Sequence, residues 1–324
     1  MKILIKKILL SISLLMLIIA CQQKSKIEKQ VQEISISSKI VRFDQLFFET
    51  PIAHFPQLKK RFPAFFPPQV SDSVWINKIN HPQWRELYNE VESKYRNFDS
   101  QKSKLDDLFK HIQFYFPKTK TPKIVTLIYE MDPQTKAIYA DSLVIIPLEM
   151  YLGKNHKFYE VPEYQKQNFE EDQILPDLVS SFAQSKIPPT SNKTFISMMV
   201  QAGKELYIKD LLLPNVTDAQ KIGYTPEQLT FCEENQTYMW QYFVENRLLF
   251  NTDPKLAGRF INPAPFSKFY LEIDNDTPGR VGAWVGWQIV RSFMKNNDIN
   301  LNQLLLMDAT EIFNKSKFKP KKDV

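Results

Sequence analysis

Cysteine is nearly absent: Cys21 and Cys232 are the only two in 324 residues. At most one intrachain bridge can form, and none if Cys21 is modified, so stability has to come from packing. Glycine is scarce as well, with seven residues against 21 prolines. That disfavours a glycine-rich phosphate cradle and a β-barrel built on tight turns. The four histidines, His54, His81, His111 and His156, never fall within four residues of one another, so neither HExxH nor HxH exists. A GxSxG nucleophile elbow and a Walker-type loop are missing too, and no internal repeat is present. Charge of one sign is also lacking. Three of the 42 basic residues sit in the first seven positions, leaving 39 against 36 acidic ones, too balanced to point to nucleic acid. No catalytic, cofactor-binding or metal-binding residue is assigned on these grounds, and the chain is expected not to be an enzyme.

What is present begins at the amino terminus. Lys2, Lys6 and Lys7 precede Ile8–Ala20, an apolar run broken only by Ser11 and Ser13. The run is short for a membrane span and has the basic-then-apolar order of a secretory signal. It ends Leu17-Ile18-Ile19-Ala20-Cys21, which resembles the bacterial lipobox. The resemblance implies cleavage after Ala20 and acylation of Cys21, with palmitate as the implied chain. The expected organisation is a cleaved signal at 1–20, a lipidated N-terminus and flexible polar tether at 21–38, one globular domain at 39–314 and a basic, frayed tail at 315–324. Gln22 follows the cysteine, not the Asp that marks inner-membrane retention. The expected location is therefore the cell envelope, facing the periplasm, at the outer membrane in preference to the inner.

Within the domain, hydrophobic residues are 43% and aromatics 13% of the chain, enough for a sizeable core. From Ile40 on, Val41, Phe43 and Leu46 alternate with Arg42 and Asp44 as in a half-buried strand, and Phe47-Phe48 breaks the alternation. The Phe-Pro-rich segment that follows reads as short helices joined by rigid turns over the core. Helical spacing is clear at Trp84, Leu87, Tyr88, Val91 and Tyr95, and again at Leu105, Leu108, Phe109, Ile112 and Phe116. Lys123–Tyr129 and Ala137–Leu148 are the strand candidates and read as a hairpin. Helices are expected at 173–186 and 194–213, from the Thr225-Pro226 cap past Trp240 toward Leu249, and after Asp276-Thr277-Pro278. In the last of these, Gly282 and Gly286 share a face and let another backbone approach. The fold class is α+β, predominantly helical, with a small sheet built on the 123–129/137–148 hairpin. Cys232 reads as a buried small hydrophobe. Asp141 and Glu149 flank the central strand and Asp177 interrupts an apolar helix face, so each is a candidate buried carboxylate, paired with a cation such as Arg280 or poised for chemistry.

The lipobox, VRFDQLFFE (41–49), FPAFFP (62–67), IYADSLVIIPLEMYLGK (138–154), VPEYQ (161–165), ILPDLVSSFA (174–183), GKELYIKDLLLP (203–214) and DTPGRVGAWVGWQIVRSF (276–293) together resemble the gliding-motility lipoprotein GldB family. That resemblance spans nearly the whole mature chain. It implies a lipid-anchored envelope component of surface gliding and type IX secretion in Bacteroidota, without established enzymatic activity. Its implied partners are other gliding or secretion proteins and the membrane, through the anchor. The last helices also resemble zinc peptidases of gluzincin type. There the helix at 174–185 would carry HExxH and the residue before Gly203 a Glu. This chain has Pro176-Asp177-Leu178-Val179-Ser180 and Ala202 instead, so the resemblance implies a peptidase scaffold with its metal site lost. An envelope hydrolase and a ligand-binding lipoprotein stand as the alternatives.

Overall fold

The computed structural model describes residues 26–133 and 135–320. Sixteen α-helices surround one four-stranded sheet among these residues. The predominantly helical α+β class is as the periodicity predicts.

The sheet has the order β1-β2-β4-β3, with β1 at Ile40–Arg42, β2 at Lys123–Leu127, β3 at Ile138–Ala140 and β4 at Leu143–Pro147. The expected 123–129/137–148 hairpin is not what forms. β2 runs parallel to both β1 and β4, with Ile124 opposite Ile40 and Val144. The hairpin lies inside the second stretch, where β3 turns back on β4 with Tyr139 opposite Val144. Two physical causes combine. Asp141 adopts a left-handed conformation at φ 50°, which aspartate tolerates better than most residues, and so makes a two-residue turn with Ser142. Ile124, Val125, Thr126, Val144 and Ile146 are all buried, the reading of strands covered on both faces in a parallel sheet.

Residues 43–49 are a helix, not a continuing strand (α2, Phe43–Glu49). Phe43 and Phe47 then lie four apart on one face. Phe43 stacks on Phe65 at 4.8 Å, and Phe66 packs edge-on against Phe55 and Trp75, both at 5.4 Å. The Phe-Pro segment thus seals one end of the core through short helices, including α3 (Phe55–Arg61) and α4 (Asp72–Asn80). α5 (Pro82–Tyr95) and α6 (Asp99–Tyr115) follow as the spacing predicts. The connection through α2 to α6 is the long crossover that parallel β1 and β2 require.

The segment expected to be tether is partly folded. α1 (Lys26–Gln32) buries Val31 completely. Gln32 Nε2 donates to Asp107 Oδ1 at 2.8 Å, and His111 Nε2 lies 3.2 Å from Glu28 Oε2. The folded body therefore reaches back to residue 26. At the other end, Phe318 packs on Trp240 at 5.2 Å, so the segment expected to fray is held to the body at that residue.

The carboxy-terminal half is helical. A one-turn α7 (Glu163–Lys166) leads to α8 (Ile174–Gln184) and α9 (Phe195–Leu212), which pack on each other. α10 (Asp218–Ile222) ends at Gly223, φ 81°. The Thr225 cap forms as expected, with its hydroxyl accepting from Gln228 N and the Gln228 side chain returning to Thr225 N. The helix it starts does not run to 249. Asn235 interrupts it, its amide capping Phe231 O at 2.9 Å, and so divides α11 (Pro226–Glu234) from α12 (Gln236–Glu245). α13 (Lys255–Phe260), α14 (Val281–Asn296), α15 (Leu301–Leu306) and α16 (Ala309–Lys315) complete the chain.

α14 starts at Val281 after a left-handed Arg280, two residues later than a helix beginning directly after Asp276-Thr277-Pro278. Its two glycines each admit a neighbour, but not the same one: a Cβ on Gly282 would stand 3.0 Å from Phe260 O of α13, and Gly286 faces α9. A Cβ on Gly286 would stand 1.8 Å from Met199 O, and one on Gly203 2.3 Å from Gly286 O. The backbones of α9 and α14 are therefore in contact. Arg291 clamps the same crossing, binding Asp210 and Asp218 through N–H···O distances of 2.6–2.9 Å while Trp287 Nε1 donates to Asp210 Oδ2 at 2.9 Å.

Candidate binding cleft

Where α8, α9 and the Gly279–Arg280 corner meet, the surface opens into a polar cleft of about 530 Å³. α8 presents Asp177 and Ser180, three residues apart and hence on one face. α9 presents Glu205 and Lys209, and the loop before β3 presents Lys136. Lys136 Nζ lies 3.3 Å from Asp177 Oδ1, and the buried Tyr151 hydroxyl donates to Asp177 Oδ2 at 3.1 Å. Ser180 Oγ donates to Glu205 Oε1 at 2.7 Å, with Lys209 Nζ at 3.6 Å from the same oxygen. Both carboxylates are thus neutralised in place, as half-buried charges must be.

Lys209 is nearly inaccessible and donates to Lys221 O at 2.8 Å. Burial pulls its ammonium below the usual lysine range; Glu205 opposes this and the charge of Arg280 adds to it. Tyr151 is held far above the ordinary phenol range, by burial first and then by Asp177, so it stays a donor. Arg280 is left-handed at φ 65°, a conformation that costs a non-glycine residue about 1–2 kcal/mol. Its NH1 donates to Ile222 O at 2.7 Å. Gly279 beside it has no room for a side chain, since a Cβ would meet Ala264 O at 2.1 Å.

The residues singled out in the sequence fall in different places. Asp177 enters the cleft, with Lys136 as its cation and not Arg280. Asp141 sits in the exposed β3–β4 turn. Glu149 is buried just past the carboxy-terminal ends of β2 and β4, accepting from Tyr129 N at 2.8 Å. Burial pushes its carboxyl up to about 7, against the backbone donors and Lys78. The histidines are scattered: His54 and His81 at helix starts, His111 beneath α1 and His156 at 3.6 Å from Glu90. Cys232 is fully buried and its thiol is pushed up to about 12 by burial, which makes it inert. Cys21 and the signal lie outside the described residues. Ser180, Glu205, Lys209 and Lys136 were not read from the sequence as a site. The signal available was Glu205 and Lys209, four residues apart and so on one face of α9.

The gluzincin pattern can be tested on these residues. α8 does face α9, as that scaffold needs, but of the two His positions of HExxH the buried Pro176 holds one and Ser180 the other, with Asp177 at the position of the Glu. The donor set does not fit zinc. No histidine lines the cleft, and ammonium groups hold both carboxylates. Among the described residues no three His, Cys, Asp or Glu side chains converge.

A helical α+β body with two close-packed helices beside a charge-paired cleft is the architecture of this chain. It belongs to the family described as gliding motility protein GldB, which matches over residues 24–320. No curated protein and no solved structure matches the chain. Membership makes it a lipid-anchored, envelope-associated protein of gliding motility. Among the described residues no helix is long and apolar enough to cross a membrane.

Proposed function

We propose that this chain is a non-catalytic interaction component of the gliding and type IX secretion machinery. It is held through acylated Cys21 at the periplasmic side of the envelope, at the outer membrane in preference to the inner. The observation that carries the non-catalytic reading is the pairing inside the cleft. A carboxylate already held by a fixed cation is a weaker base and a poorer metal ligand than one left open to substrate or metal. Asp177 and Glu205 instead accept from Tyr151 and Ser180 and face Lys136 and Lys209. The cleft supports recognition, and the machinery supplies whatever chemistry gliding requires.

The test is metal content by mass spectrometry together with hydrolysis of a fluorescent casein by the purified full-length protein in detergent. The expected result is less than a tenth of an equivalent of zinc and no hydrolysis. About one equivalent of zinc, lost in Asp177→Asn or Glu205→Gln, would establish the hydrolase reading instead.

A further inference from the structure

With Asp177 matched to Lys136 and Glu205 to Lys209, one cation in the cleft is left over. Lys221 turns away to Asp210 and Asp218, at 3.1 and 3.5 Å. Arg280 has no carboxylate within ion-pair distance among the described residues, and its Nε has no hydrogen-bond partner. It also occupies the N-cap of the sixteen-residue α14 with no side-chain cap bond, so the positive end of that helix lies at the same corner. The chain keeps an arginine in a left-handed position directly after a glycine. Nearby, Gln167 Nε2 and Asn168 Nδ2 both donate to Gly223 O, at 2.9 and 3.1 Å. That fixes both amides and leaves their carbonyl oxygens as acceptors at the cleft wall.

We propose that the cleft binds the carboxy-terminal end of a peptide, with Arg280 holding the terminal carboxylate and the Gln167 and Asn168 carbonyls accepting peptide N–H groups. One surplus positive charge matches a monoanion; a phosphate dianion would leave a buried negative charge unmatched. Fixed carbonyl acceptors select a ligand that brings donors, which a peptide backbone does and an inorganic anion does not. The volume is within the range of sites that enclose small ligands. The inference rests on reading the cleft as a binding site and not a catalytic one.

The test uses the immobilised full-length protein in detergent and a pool of N-acetylated tetrapeptides of randomised sequence, offered as free acids and as C-terminal amides and read by mass spectrometry. Retention of acids should exceed that of amides at least tenfold. Arg280→Gln should abolish the preference and Arg280→Lys restore part of it. The acid-to-amide ratio on the unaltered protein stands even if Arg280→Gln fails to fold. Equal retention of acids and amides, or of neither, overturns the inference and leaves the proposed function intact. Displacement of the acids by an equal concentration of inorganic phosphate overturns the peptide assignment. Cleavage of retained peptides overturns the non-catalytic reading while leaving the binding site in place.

Discussion

Substituting Gly286 with alanine tests whether the α9–α14 crossing organises the carboxy-terminal half. The added Cβ would lie 1.8 Å from Met199 O, against about 3.4 Å for ordinary contact, so the backbones must separate by about 1.6 Å. The obstacle is main chain and cannot swing aside. Forced overpacking of this kind costs about 1–3 kcal/mol and occasionally more. Removing a glycine from a helix interior returns about 1 kcal/mol. With backbone as the obstacle the cost falls at or above the top of that range, and a net loss of about 2–3 kcal/mol is expected. Gly203→Ala, whose Cβ would meet Gly286 O at 2.3 Å, should lose a similar amount. Gly258, in α13, has nothing within 4 Å of the same virtual atom, so Gly258→Ala should gain up to about 1 kcal/mol. Urea unfolding of the three variants, with unchanged slope, reads all three values. Gly286→Ala unfolding at the midpoint of the unaltered protein, or Gly258→Ala losing as much as Gly286→Ala, would refute the reasoning.

Other consequences follow from single groups. Glu149 has a folded pKa of about 7 against an ordinary value of 4.5, so the folded state holds its proton across that window. Its contribution to stability is full below about pH 4.5 and falls as pH rises to about 7, by about 3 kcal/mol in all. Glu149→Gln should remove that slope, measured as the difference between unfolding free energies at pH 5 and pH 8 for the two proteins. Arg291→Ala should destabilise by about 2–4 kcal/mol, because Asp210 and Asp218 are left half-buried without their guanidinium; a change below 0.5 kcal/mol in chemical denaturation would count against the clamp. Phe66→Ala should cost about 3–5 kcal/mol from the aromatic cluster around Trp75, again by denaturation. In the native protein Cys232 should resist an excess of a thiol reagent for hours and react at once in urea; rapid native labelling would contradict its burial.

The elements best read from the sequence are those with a strong local period. α5, α6, α8 and α9 follow their apolar stripes, and the Thr225-Pro226 cap forms as its residue types require. Pairing in the sheet was not legible, because β2 and β4 are both short apolar runs and nothing local distinguishes a hairpin partner from a parallel one. Asp141-Ser142 was the only turn signal separating β3 from β4. Val41 to Asp44 alternate and Phe43 and Phe47 then form a helical pair, and packing against Phe62, Phe65 and Phe66 decides for the helix from Phe43 on. α1 is polar apart from Ile27 and Val31, so its docking on α6 depends on Glu28, Gln32, Asp107 and His111 meeting across more than 70 residues of chain. The cleft was legible least of all. Lys136, Asp177, Glu205 and Arg280 come from four separate segments, and the left-handed backbone that places Arg280 leaves no mark in the sequence beyond the Gly279 before it. Gly203 was read within a motif but not as the counterpart of Gly286, since each explains the other only once the helices cross.

The measurement closest to the central claim is crosslinking in living gliding cells, followed by capture of the full-length lipoprotein from its own envelope and identification of what is attached. The account predicts specific recovery of other gliding or type IX secretion components, lost when Cys21→Ser prevents anchoring. Recovery of the protein alone, or with the same partners whether or not Cys21 is present, would contradict it.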